Sequence, residues 1–272
     1  MIPADAIARL TGRVVAGARA LSGGCVGAVY RVDFADGGAL VAKLGPGLEP
    51  EGWMLRHLGP HLPVPQIIHA DDDLLLMEWI EAGGRPAAAQ ERLAELLAGL
   101  HAIPGPTRFG LERDTVIGGL PQPNPWEDRW LDFFRDHRLL FMAAQAGLPP
   151  ATLRRVETLA ARLDQWFDEP ERPSLIHGDC WDGNVLCRGS KVVAFIDPAT
   201  YWADSEIELA FGTLFGTFGP SFFRRYQGLR PIRPGFFEAR RDILNLYPLL
   251  VHVRLFGGPY LGQVEEILRR FV

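Results

Sequence analysis

The sequence predicts an α+β chain in two unequal lobes, a small β-rich N-terminal lobe over 1–81 and a larger, mainly helical C-terminal lobe over 82–272. Three observations lead there. Up to Ile80 the apolar residues fall in short strand-like runs, over 14–21, 29–34, 39–42 and 74–80, set off by glycine. From Ala87 the period changes, and Leu93, Leu96, Leu97 and Leu100 mark the buried stripe of a helix ending near His101. Between the two regimes lies Glu81-Ala82-Gly83-Gly84, a glycine-containing linker.

Taken in order, the first two runs flank Ser22-Gly23-Gly24-Cys25-Val26-Gly27-Ala28. Glycines such as Gly23, Gly24 and Gly27 let backbone amides turn towards phosphate without side-chain obstruction, which makes this segment a candidate nucleotide loop. The third run ends in Lys43. Only Lys43 and Lys191 are lysines in a chain whose other basic residues are arginines, so a compact point charge at position 43 is a deliberate choice. A proline-bounded helix around 51–55 follows, and Glu51, with Glu49 as competitor, is the candidate partner of Lys43. The run 74–80 then passes into the linker, where main-chain atoms around Glu78, Trp79 and Ile80 can meet an adenine ring.

Residues 107–125 are rich in turn formers and read as a long loop. They lead into Trp126, Trp130, Phe133, Phe134, His137 and Leu140, spaced for an amphipathic helix, with Asn124 and Trp126 at the junction as candidate substrate contacts. A second helical pattern, Leu153, Val156, Leu159, Leu163 and Trp166, precedes Pro173.

The segment that organises the rest is SLIHGDCWDGNVLCRGSKVVAFIDPA, residues 174–199. Asn184 stands five residues after Asp179, and Asp197 thirteen further on. This is the order of a kinase catalytic loop and its metal aspartate. Residues 185–187 and 192–196 read as a hairpin about Gly189-Ser190, which brings Asn184 and Asp197 out side by side as oxygen ligands suited to Mg²⁺. Asp179 can then accept a hydrogen bond from a substrate hydroxyl. Beyond Asp197 a helix is expected from Tyr201, with Asp204 or Ser205 as N-cap and Glu206 and Glu208 favouring its N-terminus, and Trp202 is a candidate wall of the substrate cleft.

HGDCWDGNVL, FIDPATYW and ELAFGTLFGTFG, together with GGCVGAVY, VAK and LPQPNPWEDRW, resemble the fructosamine kinase, or ketosamine-3-kinase, family over about residues 22–226. HGDxxxxN with the following Asp is shared with the wider aminoglycoside phosphotransferase and choline kinase-like group; LPQPNPW, DPATYW and FGTFG narrow the match. The resemblance implies a protein-kinase-like fold, ATP and Mg²⁺ as cofactors, and phosphorylation of a ketosamine sugar at its third hydroxyl, supporting deglycation of amines or proteins. It places Asp179 at the family's catalytic base, Asn184 and Asp197 at its metal positions, and Lys43 and Glu51 at its ATP lysine and helix partner. The family pattern DPAxYYGHxE stands here as DPATYWADSE, a departure at Trp202, Ala203 and Asp204 that bears on sugar or amine preference.

Composition bounds the remaining classes. Hydrophobic content of 47% with 22% charged residues is that of a soluble globular chain, and a net charge of -5 argues against a nucleic-acid partner. No apolar run is long enough to span a bilayer and the N-terminus lacks signal-peptide regions, so a cytoplasmic address without membrane association is expected, with a monomer favoured. Cys25, Cys180 and Cys187 lack the spacing of a zinc site. The expected partner is a small-molecule ketosamine or a glycated protein. Two alternatives share the motifs, a kinase for another hydroxyl compound such as an aminoglycoside or choline, and a nucleotide-binding regulatory pseudokinase.

Overall fold

The computed structural model describes residues 2–21 and 27–272. After a short helix, α1 (Ala4–Thr11), come β1 (Val15–Ala20), β2 (Ala28–Phe34), β3 (Ala39–Leu44), α2 (Glu49–Leu58), β4 (Ile67–Ala70) and β5 (Leu74–Glu78). The strands form one antiparallel sheet in the order β1-β2-β3-β5-β4. β3 lies in the middle of that sheet, paired to β2 and β5, and its run Leu40-Val41-Ala42 is buried because both faces of the sheet are covered there. One face packs on Ile7 of α1; the other receives Leu55 of α2 against Val41 and Met77. Lys43 is thereby carried on a central strand, opposite Val29 and Leu75.

The chain then becomes mainly helical. α3 (Gln90–His101) buries Leu93, Leu97 and Leu100 of the expected stripe and leaves Leu96 half-buried at its edge, and full burial of each such leucine contributes about 1.5–3 kcal/mol. The expected loop over 107–125 contains a small hairpin, β6 (Thr115–Ile117) and β7 (Leu120–Gln122), turning at Gly118 and Gly119. α4 (Trp130–Phe134) and α5 (Phe141–Gln145) are joined by a π-helical turn over Arg135–Leu140. The extra residue of that turn accompanies a fully buried Arg138, which donates to Pro123 O at 2.7 Å and lies 3.9 Å over the Tyr201 ring. α6 (Pro150–Ala160) leads to β8 (Ser174–Ile176).

β9 (Val185–Arg188) and β10 (Lys191–Phe195) form the expected hairpin, with Val185 opposite Phe195. The next helix begins at Glu206 with Ser205 at its N-cap and Glu206 N donating to Asp204 Oδ1 at 3.0 Å, as the N-cap expectation had it, but the stretch from Tyr201 is not part of it. Tyr201–Ala203 is a strand, β11, paired to β8, and Trp202 also exchanges backbone hydrogen bonds with Gly110. Partners on both sides outweigh the local helical pattern. α7 (Glu206–Leu214), α8 (Pro220–Leu229), α9 (Arg241–Phe256) and α10 (Pro259–Phe271) complete the larger core. Among the described residues no helix is long and apolar enough to cross a membrane.

Candidate active site

The loop after β8 is shaped by its glycine. Gly178 has φ +87°, and a Cβ there would stand 2.1 Å from Ala199 O, so only glycine lets the loop lie this close to the segment after β10. His177 stiffens it from below. Its Nδ1 accepts from Asp179 N at 3.3 Å, which leaves Nε2 to donate to Ile196 O at 3.1 Å. Burial holds the ring's pKa below its ordinary value, in keeping with a neutral imidazole.

Five side chains meet here. Asn184 donates through Nδ2 to Asp179 Oδ2 at 2.8 Å and to Asp179 O at 2.9 Å. Ile196 N bonds Asn184 O at 3.0 Å, so the hairpin delivers Asn184 and the Asp197 segment to one edge. Asp197 has φ +53°, the only non-glycine with positive φ among the described residues, a conformation held at a cost of about 1–3 kcal/mol. Its Oδ1 accepts from Lys43 Nζ, which also donates to Glu51 Oε1 at 2.6 Å. Burial works against the Lys43 ammonium, but the Asp197 and Glu51 carboxylates outweigh it and raise its pKa. Burial, reinforced by the Asp197 charge and opposed by the Asn184 hydrogen bond, pushes Asp179 up to about 7.

The competition between Glu49 and Glu51 is resolved by helix geometry. Glu51 faces inward to Lys43, while Glu49 takes Arg113 of the segment before β6, at 3.0 and 2.5 Å. The Arg113 guanidinium also lies 5.1 Å over the Trp53 ring, tying α2 to the segment whose Arg113 O accepts from Asn124 Nδ2. Partly exposed ion pairs are worth about 0.2–1 kcal/mol. Arg113→Ala is therefore expected to lower stability by about 0.2–1 kcal/mol, read as a small fall in Tm; an unchanged Tm means that α2 is held without this contact.

The other expected positions divide. Glu78, Trp79 and Ile80 end β5 and begin the linker, where Gly83 N bonds Cys187 O at 2.9 Å. Gly27, with φ +71°, opens β2 at a point where a Cβ would meet Leu44 O at 2.2 Å. Gly23, Gly24 and Cys25 lie outside the described residues. Asn124 does not reach outward. It is 1% exposed, its Nδ2 donates to Arg113 O and Thr115 Oγ1, and its Oδ1 accepts from Arg138. Trp126 is half-buried beside Arg108. Trp202 is buried with its ring on Gly105, whose Cβ would lie 2.1 Å away.

Two features escaped sequence reasoning. Trp181, two residues after Asp179, is 39% exposed and begins an aromatic wall: Phe215 at 6.0 Å, then His252 5.0 Å from Phe215, then Tyr260 4.8 Å from His252. HGDCW held the signal, an unburied tryptophan beside the motif aspartate. The second is Glu208, read as a helix-end charge. It is 1% exposed and accepts from Gly178 N at 2.7 Å and His177 N at 3.2 Å, with His101 Nε2 at 2.8 Å. Its place inside the apolar run Ile207 to Phe211 was the clue.

A buried lysine between two carboxylates on a sheet lobe, facing an Asp-Asn-Asp constellation at the edge of a helical lobe, defines a protein-kinase-like phosphotransferase. The fold agrees: a thermostable mutant of an aminoglycoside phosphotransferase superposes with TM-score 0.69 at 17% identity, covering 98% of both chains. A candidate fructosamine-3-kinase of Thermobifida fusca superposes with TM-score 0.84 at 33% identity, again over 98% of both. A probable ketoamine kinase of Synechocystis is 35% identical over 266 residues, 93% of this chain and 89% of the relative. The family model described as fructosamine kinase matches residues 9–272, and the chain belongs to that family. Membership implies ATP as phosphoryl donor.

Proposed function

We propose that this kinase transfers the γ-phosphoryl group of ATP to a ketosamine of fructosamine or ribulosamine type, at the sugar 3-hydroxyl. The observation that carries the reading is the convergence of Lys43, Glu51, Asp179, Asn184 and Asp197 beside an exposed aromatic wall. In it, residues 1–81 form the nucleotide-binding lobe and 82–272 the catalytic and substrate-binding lobe. Lys43, held by Glu51, neutralises the triphosphate, and Asp179 accepts the hydrogen bond of the attacking hydroxyl and orients it in line. Asn184, whose Nδ2 is committed to Asp179, and Asp197 present oxygens on one side, and this sparse donor set suits Mg²⁺, which keeps water and phosphate ligands. Magnesium there supplies charge neutralisation on the transferring phosphoryl group.

A phosphate on the carbon next to the ketosamine carbonyl becomes a leaving group once the adduct enolises. Its departure leaves an imine, whose hydrolysis by water frees the amine, and this is the basis for a deglycating role. The test is ATP-dependent phosphorylation of fructosamine, ribulosamine and erythrulosamine derivatives, with aminoglycosides and choline as controls and the phosphorylated carbon located by NMR. Transfer to a ketosamine 3-hydroxyl is the expected result; transfer to a control alone sinks the substrate assignment, and nucleotide binding without transfer to any acceptor sinks the kinase mechanism.

Lys43→Ala leaves Glu51 and Asp197 facing each other without a cation. Loss of one preorganised charge at a site of developing negative charge lowers kcat by roughly 10²–10³-fold. Steady-state kinetics with ATP check this, and a loss under threefold removes Lys43 from the mechanism.

A further inference from the structure

Of the 28 lysine and arginine side chains in this chain, only those at 43 and 191 are lysines. The difference matters to a reducing sugar. An aldose condenses with an amine that sheds its proton, which lysine does and the arginine guanidinium does not. The two ε-amines are placed in opposite ways. Lys43 is 5% exposed on a central strand, with Glu51 Oε1 2.6 Å from its Nζ and Asp197 Oδ1 also bonded to it, so burial and two carboxylates stand between that nitrogen and an open-chain sugar. Lys191 is exposed. It opens β10 opposite Arg188, at the end of a turn in which Arg188, Gly189 and Ser190 are exposed as well. The lysine ion pairs among the described residues all belong to Lys43, so no carboxylate holds the Lys191 amine.

The fold also decides which active site an adduct on Lys191 could meet. Asn184, bonded to Asp179, immediately precedes β9, and Asp197 follows β10, so the phosphoryl-transfer groups sit at the end of the hairpin opposite its turn. Lys191 and Asp197 are six residues apart, about 20 Å of strand. A lysine stem carrying a pentulose covers about half of that, so the adduct falls short of its own Asp179.

We infer that Lys191 is a modification site of this chain, the ε-amine at which it takes up an open-chain aldose as a ketosamine, and that a second copy of the same chain is the kinase that acts on the adduct. The second half rests on the ketosamine reading. In the uptake the Lys191 nitrogen bonds the aldehyde carbon and water leaves, giving an imine. The proton on C2 is then lost, and reprotonation at C1 leaves a ketone at C2. Sugar and amine supply every atom, water is the by-product, and no oxidant or reductant is consumed. The second copy then phosphorylates the adduct as it does any ketosamine. The lysine on which nucleotide binding depends is spared, and the adduct forms away from the reacting groups, so the kinase works among the sugars that generate its substrates.

The experiment has two stages. Wild type and Lys191→Arg are incubated with D-ribose without ATP, then mapped by peptide mass spectrometry and assayed on free ε-ribulosyl-lysine. Wild type is expected to carry an ε-adduct on Lys191 and none on Lys43, with turnover kept; Lys191→Arg carries no ε-adduct and has the turnover of wild type. An adduct on Lys43, an unmodified Lys191, or turnover lost as the Lys191 adduct accumulates overturns the modification site. In the second stage ribose-treated Asp179→Asn protein, whose own transfer is lost in the proposed mechanism, is freed of sugar and mixed with untreated wild type and ATP. Phosphate is expected on the Lys191 adduct of the variant, and none when wild type is left out or when the variant also carries Lys191→Arg. If wild type phosphorylates free ε-ribulosyl-lysine but leaves the Lys191 adduct untouched, action by a second copy is overturned and the ketosamine reading stands. If it phosphorylates neither and accepts only an aminoglycoside or choline, that reading falls, and the action on Lys191 with it.

Discussion

Asp179→Asn is expected to bind ATP as wild type does and to lose roughly 10²–10⁴-fold in kcat, the range for removing a positioned general base. The substitution keeps shape and volume, and its amide oxygen can still accept from Asn184 Nδ2, so the loop has no reason to move. What disappears is the charged acceptor that the proposed mechanism sets against the sugar hydroxyl. The same change should make the nucleotide-free protein more stable at pH 8. Burial and Asp197 raise the folded-state pKa of Asp179 to about 7, so the folded state holds this proton more tightly than the unfolded chain does. The associated stability is present below the ordinary aspartate pKa and is lost as pH rises through about 7. Asparagine removes the titration, so Tm rises at pH 8 and changes little at pH 4. Wild-type turnover would falsify the role of Asp179; a Tm that falls at pH 8 would refute the electrostatic account.

Glu208 carries the second large effect, although it lies behind the loop rather than at the reacting atoms. Its two oxygens take the amides of His177 and Gly178 and the ring of His101, whose Nδ1 lies 2.7 Å from Tyr226 Oη. Burial acts against the carboxylate, but the hydrogen bond and charge of His101, with His177 and the Gly178 amide, hold its pKa below the ordinary value. Glu208→Ala strands these donors and is expected to destabilise the protein by about 3–5 kcal/mol, the penalty for breaking a buried charged group from its partners. Glu208→Gln separates positioning from folding. It keeps one acceptor oxygen, so the variant should fold while the loop loses its double anchor, and kcat should fall at least tenfold with KM for ATP within twofold of wild type. A glutamine variant with unchanged kcat means the loop is positioned by Gly178 and His177 alone.

The legible parts of this chain were those in which chemistry is local. Strands 39–44 and 74–78 announced themselves as apolar runs, α3 by its leucine period, and the β9–β10 hairpin by Gly189 between two such runs. Hairpin geometry alone brings Asn184 and Asp197 to one edge, so their juxtaposition could be read from spacing. Expectations failed where distant partners decide. Tyr201–Ala203 looked helical and became a strand because Ile176, Ser174 and Gly110 supply its backbone partners. Asn124 looked outward and is consumed by Arg138, Arg113 and Thr115.

By itself, then, the sequence determined the lobe order, the spacing of the lysine and the aspartates, and the family, since each depends on residue type and short spacing. Only the tertiary structure decided which of Glu49 and Glu51 meets Lys43, that Glu208 anchors the loop from beneath, and that aromatics from the catalytic loop, the end of α7, α9 and α10 form one wall. A carboxylate's effect depends on whether it faces water, an arginine or two backbone amides, and that surrounding is assembled from residues far apart in the chain.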